Sequence, residues 1–294
     1  VAVLVELKAR FDEESNIGWA KMLEEAGVHV VYGLVGLKTH CKVTMVVRKE
    51  GEGIRRYLHL GTGNYNAVTA RIYEDIGIFT CDEAMGSDVT DLFNYLTGYS
   101  TKQHFKKLLV APVNLRAGLE KLIRREIEHA KAGHPAHLIF KVNSVVDPMF
   151  IELLYEASQA GVKVDLLARG MCCLRPGIKG VSDNIKVISI VGRYLEHSRV
   201  FYFHNNGKEE IYMGSADLMR RNQDHRVEVV FPVENPDHIN YLRHGMLATY
   251  LSDNVRARMM KPDGTYVRLK PPSESKAVDV QEWLMQNNYR NKKS

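Results

Sequence analysis

The chain has 294 residues, of which 45% are apolar and 26% are charged, proportions typical of a soluble globular protein with about two domains. Its apolar runs are far shorter than the ~20 residues of a membrane-spanning helix, and no segment has the residue order of a signal peptide. The net charge of +5 is compatible with an anionic substrate but does not indicate a nucleic-acid-binding protein.

The first hundred residues alternate between strand and helix patterns. Val1–Leu7 is a continuous apolar run, which predicts a buried parallel strand. Ile17–Ala26 has the spacing of an amphipathic helix, with Ser15 or Asn16 as its N-cap and Gly27 at its end. Further elements are predicted as strands at Val28–Tyr32, Lys42–Val47, Tyr57–Leu60 and Ile72–Phe79, and as a helix at Asp88–Tyr95.

The rest of the chain repeats this order with more elements in front. Val162–Ala168 corresponds to Val1–Leu7, and three elements precede it that have no counterpart before Val1. We therefore expect a fragment whose first domain lacks its opening elements. The predicted elements are helices at Arg116–Lys131, Met149–Ala160, Asp237–Leu251 and Val278–Tyr289, and strands at His137–Val142, Arg199–Phe203, Ile211–Met213 and Val227–Pro232. This alternation predicts an α/β fold with a mixed sheet in each domain, divided near Ser100–Lys107 into 1–103 and 104–294.

Two stretches of the chain carry the same polar residues in the same order. The first contains Arg10, His40-Cys41-Lys42, Gly61-Thr62-Gly63-Asn64 and Asp75. The second contains Arg169, His197-Ser198-Arg199, Gly214-Ser215-Ala216-Asp217 and Glu228. In both copies the loop begins 14 residues before the acid (75−61 and 228−214). This recurrence predicts an internal duplication with one half-site in each copy.

Each half-site has the groups that phosphoryl chemistry needs. Side chains two apart on a strand share a face, so His40 and Lys42 should point together while Cys41 turns into the core. A neutral imidazole can attack phosphorus, and a neighbouring cation offsets charge on the phosphoryl oxygens. Backbone N–H groups of the small-residue loops could approach an oxyanion. Asp75 and Glu228 could each hold the far nitrogen of a histidine.

Any one of these features alone is more often structural, since the chain has 12 histidines and a glycine-rich turn is common. Their repetition in order favours a shared site, in which both imidazoles meet in one cavity between the duplicated halves.

The repeated pattern resembles the phospholipase D superfamily, whose members pair two such half-sites. Nearly the whole chain further resembles the C-terminal catalytic part of the long polyphosphate kinases. In the first half the resemblance rests on Glu6-Leu7-Lys8-Ala9-Arg10-Phe11-Asp12, Gly36-Leu37-Lys38-Thr39-His40 and His59-Leu60-Gly61-Thr62-Gly63-Asn64. In the second half it rests on Arg169-Gly170-Met171-Cys172, Ser182-Asp183-Asn184-Ile185, Arg193-Tyr194-Leu195-Glu196-His197 and Ser215-Ala216-Asp217. It implies two phospholipase D-like domains.

The resemblance also implies a role for particular residues. His40 matches the histidine that is phosphorylated during turnover, and Arg10 matches an arginine at the phosphate and Mg²⁺ site. Tyr73, Arg169 and His197 match nucleotide-contacting positions. To these the half-site reasoning adds Lys42, Asp75 and His197 as catalytic residues, with His197 expected to act as a general acid or charge stabiliser. It adds Arg199 and Asn64 as residues that bind the substrate phosphates.

The implied reaction is reversible transfer of the ATP γ-phosphate to inorganic polyphosphate through a phosphohistidine, with Mg²⁺ as cofactor. ATP, ADP and polyphosphate are the implied partners, without nucleic acid or stable membrane insertion. A cytoplasmic location, open to peripheral membrane association, and a homo-oligomer at full length are also implied. Two alternatives stay open, a phospholipase D-type phosphodiesterase and a non-catalytic polyanion-binding fragment.

Overall fold

The computed structural model describes residues 1–7, 13–98 and 104–287, and it has the predicted mixed α/β fold. The first-half strands are β1 (Ala2–Leu4), β2 (His29–Val31), β3 (Lys38–Thr39), β4 (Lys42–Glu50), β5 (Gly53–Gly61), β6 (Tyr73–Glu74) and β7 (Gly77–Thr80). The second-half strands are β8 (Leu109–Ala111), β9 (His137–Val142), β10 (Lys163–Ala168), β11 (Ile185–Ile190), β12 (Leu195–Glu196), β13 (Arg199–Phe203), β14 (Glu210–Gly214), β15 (Arg226–Val233), β16 (Ala257–Met260) and β17 (Tyr266–Arg268).

The α-helices are α1 (Glu13–Glu25), α2 (Glu83–Leu96), α3 (Leu115–Lys131), α4 (Pro148–Gln159), α5 (Arg220–Asp224), α6 (Pro236–Asn240), α7 (Ala248–Ser252) and α8 (Val280–Gln286). A π-helical segment, Tyr241–Leu247, joins α6 to α7, and short 3₁₀ turns occur at Thr69–Arg71, Asn205–Gly207 and Glu274–Lys276. Within the described ranges, no helix combines the length and the apolar composition needed to cross a bilayer.

One large sheet forms the centre of the second half. Its strand order is β17-β16-β11-β10-β9-β13-β14-β15, and both β3 and β8 pair with β15. Strands β9, β10 and β11 are parallel and largely buried, as their apolar runs predict. Leu119 of α3 and Leu154 of α4 belong to a core cluster with Phe140 of β9, so these two helices cover one face of the sheet.

A second core cluster joins the two halves. It contains Leu58 of β5 and Val89 of α2 from the first half, and Ile139 of β9 and Val200 of β13 from the second. The halves are therefore packed together through a common set of apolar side chains. Their predicted limits, 1–103 and 104–294, stay a prediction because residues 99–103 lie outside the described ranges.

Each half also gives the other a two-residue strand. β3 runs parallel to β15, with Thr39 opposite Val227, and β12 runs parallel to β6, with Leu195 opposite Tyr73. The histidine of each half follows its exchanged strand directly. This reciprocal pairing confirms the predicted duplication, and it places each histidine beside the acid-bearing strand of the opposite half.

Several predicted elements have different limits in the structure. The strand predicted as buried at Val1–Leu7 is limited to Ala2–Leu4 and is only partly buried, because it pairs with β2 alone in a two-stranded sheet. The helix predicted at Asp88–Tyr95 begins earlier, at Glu83, where Asp82 caps it.

The single strand predicted at Ile72–Phe79 is broken into β6 and β7, because β6 pairs with β12 whereas β7 pairs with β5. Helix α1 begins by Glu13, so Ser15 and Asn16 lie inside it and the prediction that one of them is the N-cap is wrong. The Asn16 amide instead donates a hydrogen bond to the Glu6 carbonyl at 2.9 Å.

Candidate active site

His40 is held by the second half of the chain. The backbone N–H groups of His40 and Cys41 both donate to the Val227 carbonyl, at 2.9 and 3.0 Å. This places Nδ1 of His40 2.8 Å from Oε2 of Glu228. Glu228 is fully buried, and its carboxylate also accepts hydrogen bonds from the Ser215 hydroxyl and the Asn222 amide.

His197 has the same arrangement with the halves exchanged. The N–H groups of His197 and Ser198 donate to the Glu74 carbonyl at 3.2 and 3.0 Å. Nδ1 of His197 lies 2.8 Å from Oδ1 of Asp75, which also accepts from the Thr62 hydroxyl at 2.7 Å. The prediction that each acid holds a histidine is confirmed, and in both cases the histidine belongs to the other half.

The small-residue loops serve to place these acids. The Thr62 hydroxyl accepts from the Ile76 N–H at 3.0 Å, and the Ser215 hydroxyl accepts from the Val229 N–H at 3.1 Å. The Thr62 and Ser215 N–H groups donate back to the carbonyls of the same two residues, at 2.9 and 3.0 Å. The prediction that the loops offer backbone N–H groups to an oxyanion is therefore wrong for Thr62 and Ser215, whose N–H groups are used within the fold.

Two glycines permit this close packing. A Cβ atom on Gly63 would lie 2.5 Å from the Asp75 carboxyl group, and one on Gly214 would lie 2.2 Å from the Val229 carbonyl oxygen. Both distances are well inside van der Waals contact. These positions therefore need glycine for a steric reason.

The hydrogen bonds assign a tautomer to each histidine. A carboxylate can only accept, so both rings carry a proton on Nδ1. Nε2 of His197 then accepts a hydrogen bond from the Arg199 guanidinium at 3.1 Å. Among the described residues none donates a hydrogen bond to Nε2 of His40. The lone pair on His40 is therefore the one available for attack.

The electrostatic surroundings keep His40 neutral. Burial lowers its pKa from 6.5 to about 4, against the opposing effect of the Glu228 charge, and Lys42 and Arg199 lower it further. The pKa of His197 is also lowered, chiefly by burial, with Arg199 and Lys42 again contributing. Because the same two cations act on both imidazoles, the two half-sites share one electrostatic environment.

Both cations are buried and anchored. The Lys42 ammonium donates to the His40 carbonyl, and Arg199 donates to the His197 carbonyl at 2.7 Å. Arg199 also forms an ion pair with Asp217, the last residue of the second loop, at 3.3 Å. Burial is the main cause that lowers the pKa of Lys42, to about 8. The predicted HxK and HxR pairs are thus brought together with their histidines, and Cys41 packs against the core as expected.

One cavity lies on the Tyr73 side of the site and another on the His40 side, and the single shared cavity that the sequence predicts stays a prediction. Tyr73 and Arg169 line one of about 460 Å³, and the Tyr73 ring lies against His197 with 4.8 Å between centroids. His40, Lys42 and Asn64 line another of about 480 Å³. Asp75, Arg199 and Tyr73 therefore lie on the His197 side of the site, and Lys42 and Asn64 lie on the His40 side. Arg10 lies outside the described residues.

Comparison with known proteins shows the family to which the chain belongs. The profile for polyphosphate kinase C-terminal domain 1 matches residues 1–102, and the profile for C-terminal domain 2 matches residues 108–281. This chain belongs to the polyphosphate kinase family. The polyphosphate kinase of Synechocystis is 58% identical over 281 residues, which are 96% of this chain and 38% of that protein. Polyphosphate kinase 1 of Chlorobaculum tepidum is 53% identical over 294 residues, all of this chain and 42% of that protein.

The fold agrees with a solved member of the family. The crystal structure of polyphosphate kinase from Porphyromonas gingivalis superimposes with a TM-score of 0.90 at 38% identity, covering 100% of this chain and 44% of that one. The chain therefore spans about two fifths of the length of the polyphosphate kinases that it matches.

Several supporting residues were not predicted. The Asn143 side chain accepts from Arg169 at 2.9 Å, and its backbone N–H donates to Asp217 at 2.7 Å. Asn222, which holds Glu228, comes from the short helix α5 and belongs to no recognisable motif. Lys141, by contrast, is a lysine between Phe140 and Val142 in the buried part of β9, a signal that could have been found.

Proposed function

We propose that the protein transfers the terminal phosphate of ATP reversibly to inorganic polyphosphate through a phosphohistidine on His40. The observation that carries the proposal is the state of His40: a neutral ring, fixed by Glu228 at Nδ1, with Nε2 available beside Lys42. The family membership shown above supports the choice of reaction and of substrates.

In the first step the Nε2 lone pair of His40 attacks the γ-phosphorus, and the bond from phosphorus to the bridging β–γ oxygen breaks. The released electron pair stays on the β-phosphate of ADP. The ring becomes cationic while it keeps its Nδ1 proton, and the Glu228 carboxylate stabilises that charge. In the second step a terminal oxygen of polyphosphate forms a bond to phosphorus, and the N–P bond breaks to restore neutral His40.

Phosphoryl transfer gains little from covalent help by other side chains, so positioning and charge supply most of the catalysis. Lys42 and Arg199 provide charge beside both histidines. Tyr73, Arg169 and His197 would hold the nucleotide. Because Nε2 of His197 accepts a hydrogen bond from Arg199 and carries no proton, the general-acid role is not proposed, and His197 acts by orienting the Arg199 charge. Asn64, exposed at the cavity beside His40, and Arg10 would contact phosphates. Self-association and a cytoplasmic location follow only from the family resemblance and belong to the same proposal.

Mg²⁺ enters the proposal as the ion that accompanies ATP phosphates. In the part of the chain that the structure describes, no group of three or more His, Cys, Asp or Glu side chains could hold a metal. Asp75 and Glu228 already accept hydrogen bonds from the two imidazoles. The described side chains therefore do not fit a magnesium cage built by the protein, and no step is assigned to the ion.

The test is to incubate the protein, expressed at its natural length, with γ-labelled ATP and to map the label. We expect acid-labile, alkali-stable label on His40, and its loss in the His40→Gln variant. The matched control is His29→Gln, which removes an exposed histidine on β2 and should label normally. Retained label in His40→Gln would contradict the proposed nucleophile. Hydrolysis of bis-nitrophenyl phosphate without ADP release would favour the phosphodiesterase alternative.

A further inference from the structure

A buried ionic cluster lies behind His197. Lys141 of β9 is 3% exposed, and its ammonium lies 2.8 Å from Oε2 of Glu74 and 3.0 Å from Oε2 of Glu196. It also donates to the Ser198 hydroxyl at 2.9 Å, and that hydroxyl donates to Glu74 at 2.8 Å. One lysine therefore joins a carboxylate of the first half to two residues of the second.

The cluster is fully partnered, as a buried set of charges must be to persist. Glu196 accepts further hydrogen bonds from the Tyr250 hydroxyl at 2.5 Å and the Gln281 amide at 2.7 Å. Burial opposes the charge on Lys141, but the two carboxylates raise its pKa above the usual value. The cluster thus holds one cation and two anions, with a net charge of −1.

The cluster residues are chain neighbours of both members of the second half-site, His197 and Asp75. Glu196 and Ser198 are the immediate chain neighbours of His197, and Glu74 is the immediate neighbour of Asp75. The Glu74 carbonyl also accepts the N–H groups of His197 and Ser198. Lys141 therefore fixes the backbone on both sides of the imidazole and the strand that carries its acid.

The first half-site has no acidic side chain at the positions that correspond to this cluster. At the positions equivalent to Glu196, Ser198 and Glu74 it has Thr39, Cys41 and Val227. The Val227 carbonyl still accepts the two backbone N–H groups, so the hydrogen-bonding frame is the same in both half-sites. The acidic residues around Lys141 are therefore an addition to the frame that the two half-sites share.

We propose that Lys141, together with Glu74 and Glu196, is a positioning residue that keeps the His197 ring in its Nδ1–H tautomer against Asp75. In catalytic terms this inference rests on the proposed function, because it makes Lys141 important for the nucleotide side of that reaction. The positioning itself is a property of the ligand-free protein and can be measured without turnover.

The test variant is Lys141→Met with Glu74→Gln, which removes one charge of each sign and keeps the cluster at −1. The matched control is Arg125→Met with Glu210→Gln, which removes a half-buried ion pair of 2.9 Å. Glu210 begins β14, at the opposite end of that strand from the loop that holds Glu228. Both double variants therefore lose an ion pair, and only the first lies beside His197.

The primary readout is the ring ¹⁵N spectrum of histidine-labelled protein at its natural length, with signals assigned from His40→Gln and His197→Gln. We expect wild type to show His197 as a single Nδ1–H tautomer. The Lys141→Met/Glu74→Gln variant should show a mixture of tautomers at His197, while His40 is unchanged. In turnover, kcat should fall about 10- to 100-fold, the range found when the partner that orients a metal-bound histidine is removed. The control should stay within about twofold of wild type on both measures.

A variant that folds and keeps the single His197 tautomer overturns the inference, and so does an equal change at His40. Ser198→Ala decides the matter if the double variant does not fold, because it removes the bridging hydroxyl without removing a charge. An altered His197 spectrum in that variant supports the positioning role, and an unaltered one contradicts it. Because the spectra need no substrate, absence of kinase activity would overturn the proposed function and leave this test intact.

Discussion

Deprotonation of Lys42 should make activity fall at alkaline pH, and the Lys42→Arg substitution should remove that fall. Burial lowers its pKa from 10.5 to about 8, so the ammonium beside His40 is lost at moderately alkaline pH. Because kcat/KM follows the ionisation of the free enzyme, it should fall about tenfold for each pH unit above 8. Lys42→Arg keeps the cation over the whole range, since a guanidinium does not deprotonate in water at these pH values.

The same pKa shift has the opposite effect on stability. Between pH 8 and 10.5 the unfolded chain keeps a proton on Lys42 that the folded protein has lost, so the free energy of unfolding should rise with pH. The full effect of this one residue is about 3 kcal/mol. Over this pH range activity should therefore fall while the contribution of Lys42 to the free energy of unfolding rises. This distinguishes the loss of activity from unfolding.

The assay compares kcat/KM for ATP from pH 7 to 10 in wild type and Lys42→Arg, with urea unfolding at the same pH values. We expect kcat/KM of wild type to begin to fall near pH 8, and this fall to be absent or displaced well above pH 9 in the variant. The matched control is Lys38→Arg, which changes the other lysine of the same cavity and should keep the wild-type fall. A fall of equal midpoint in wild type and Lys42→Arg would refute the reasoning.

Three further predictions follow from the site. Gly214→Ala should destabilise the protein by about 1–3 kcal/mol in urea unfolding, because its Cβ would lie 2.2 Å from the Val229 carbonyl oxygen; an unchanged midpoint would contradict the steric argument. Since burial lowers the pKa of His40 from 6.5 to about 4, the folded protein binds fewer protons than the unfolded chain in that range, and stability should fall as pH falls through it. His40→Gln should show a shallower fall between pH 6.5 and 4, and a parallel slope would refute this contribution. Raising the salt concentration from 0.05 to about 0.5 M should increase KM for polyphosphate more than KM for ATP in steady-state assays, because a long polyanion is screened at more positions; equal increases would contradict it.

Much of the frame was predictable from the sequence. The apolar runs at β9 and β10 predict buried parallel strands, because a strand that is covered on both faces needs apolar side chains on both of them. The duplicated order of histidine, loop and acid predicts two equivalent half-sites. In the structure Nδ1 of each histidine donates a hydrogen bond to a carboxylate.

The exchange of acids between the halves was not predictable, for a physical reason. Spacing along the chain relates His40 to Asp75 and His197 to Glu228. In the structure β3 and β12 each pair with the opposite half, so His40 contacts Glu228 and His197 contacts Asp75. These strands have two residues each, too few to show any periodicity. The same pairing breaks the strand predicted at Ile72–Phe79, because its first residues leave the sheet to pair with the other half.

The measurement that tests the account most directly is the ring ¹⁵N spectrum of histidine-labelled Glu228→Gln and Asp75→Asn variants. The crossed arrangement predicts that Glu228→Gln changes the tautomer signal of His40 alone and that Asp75→Asn changes that of His197 alone. If each substitution instead altered the histidine of its own half, the two half-sites would not be joined as described, and the assignment of His40 as a neutral nucleophile held by Glu228 would be wrong.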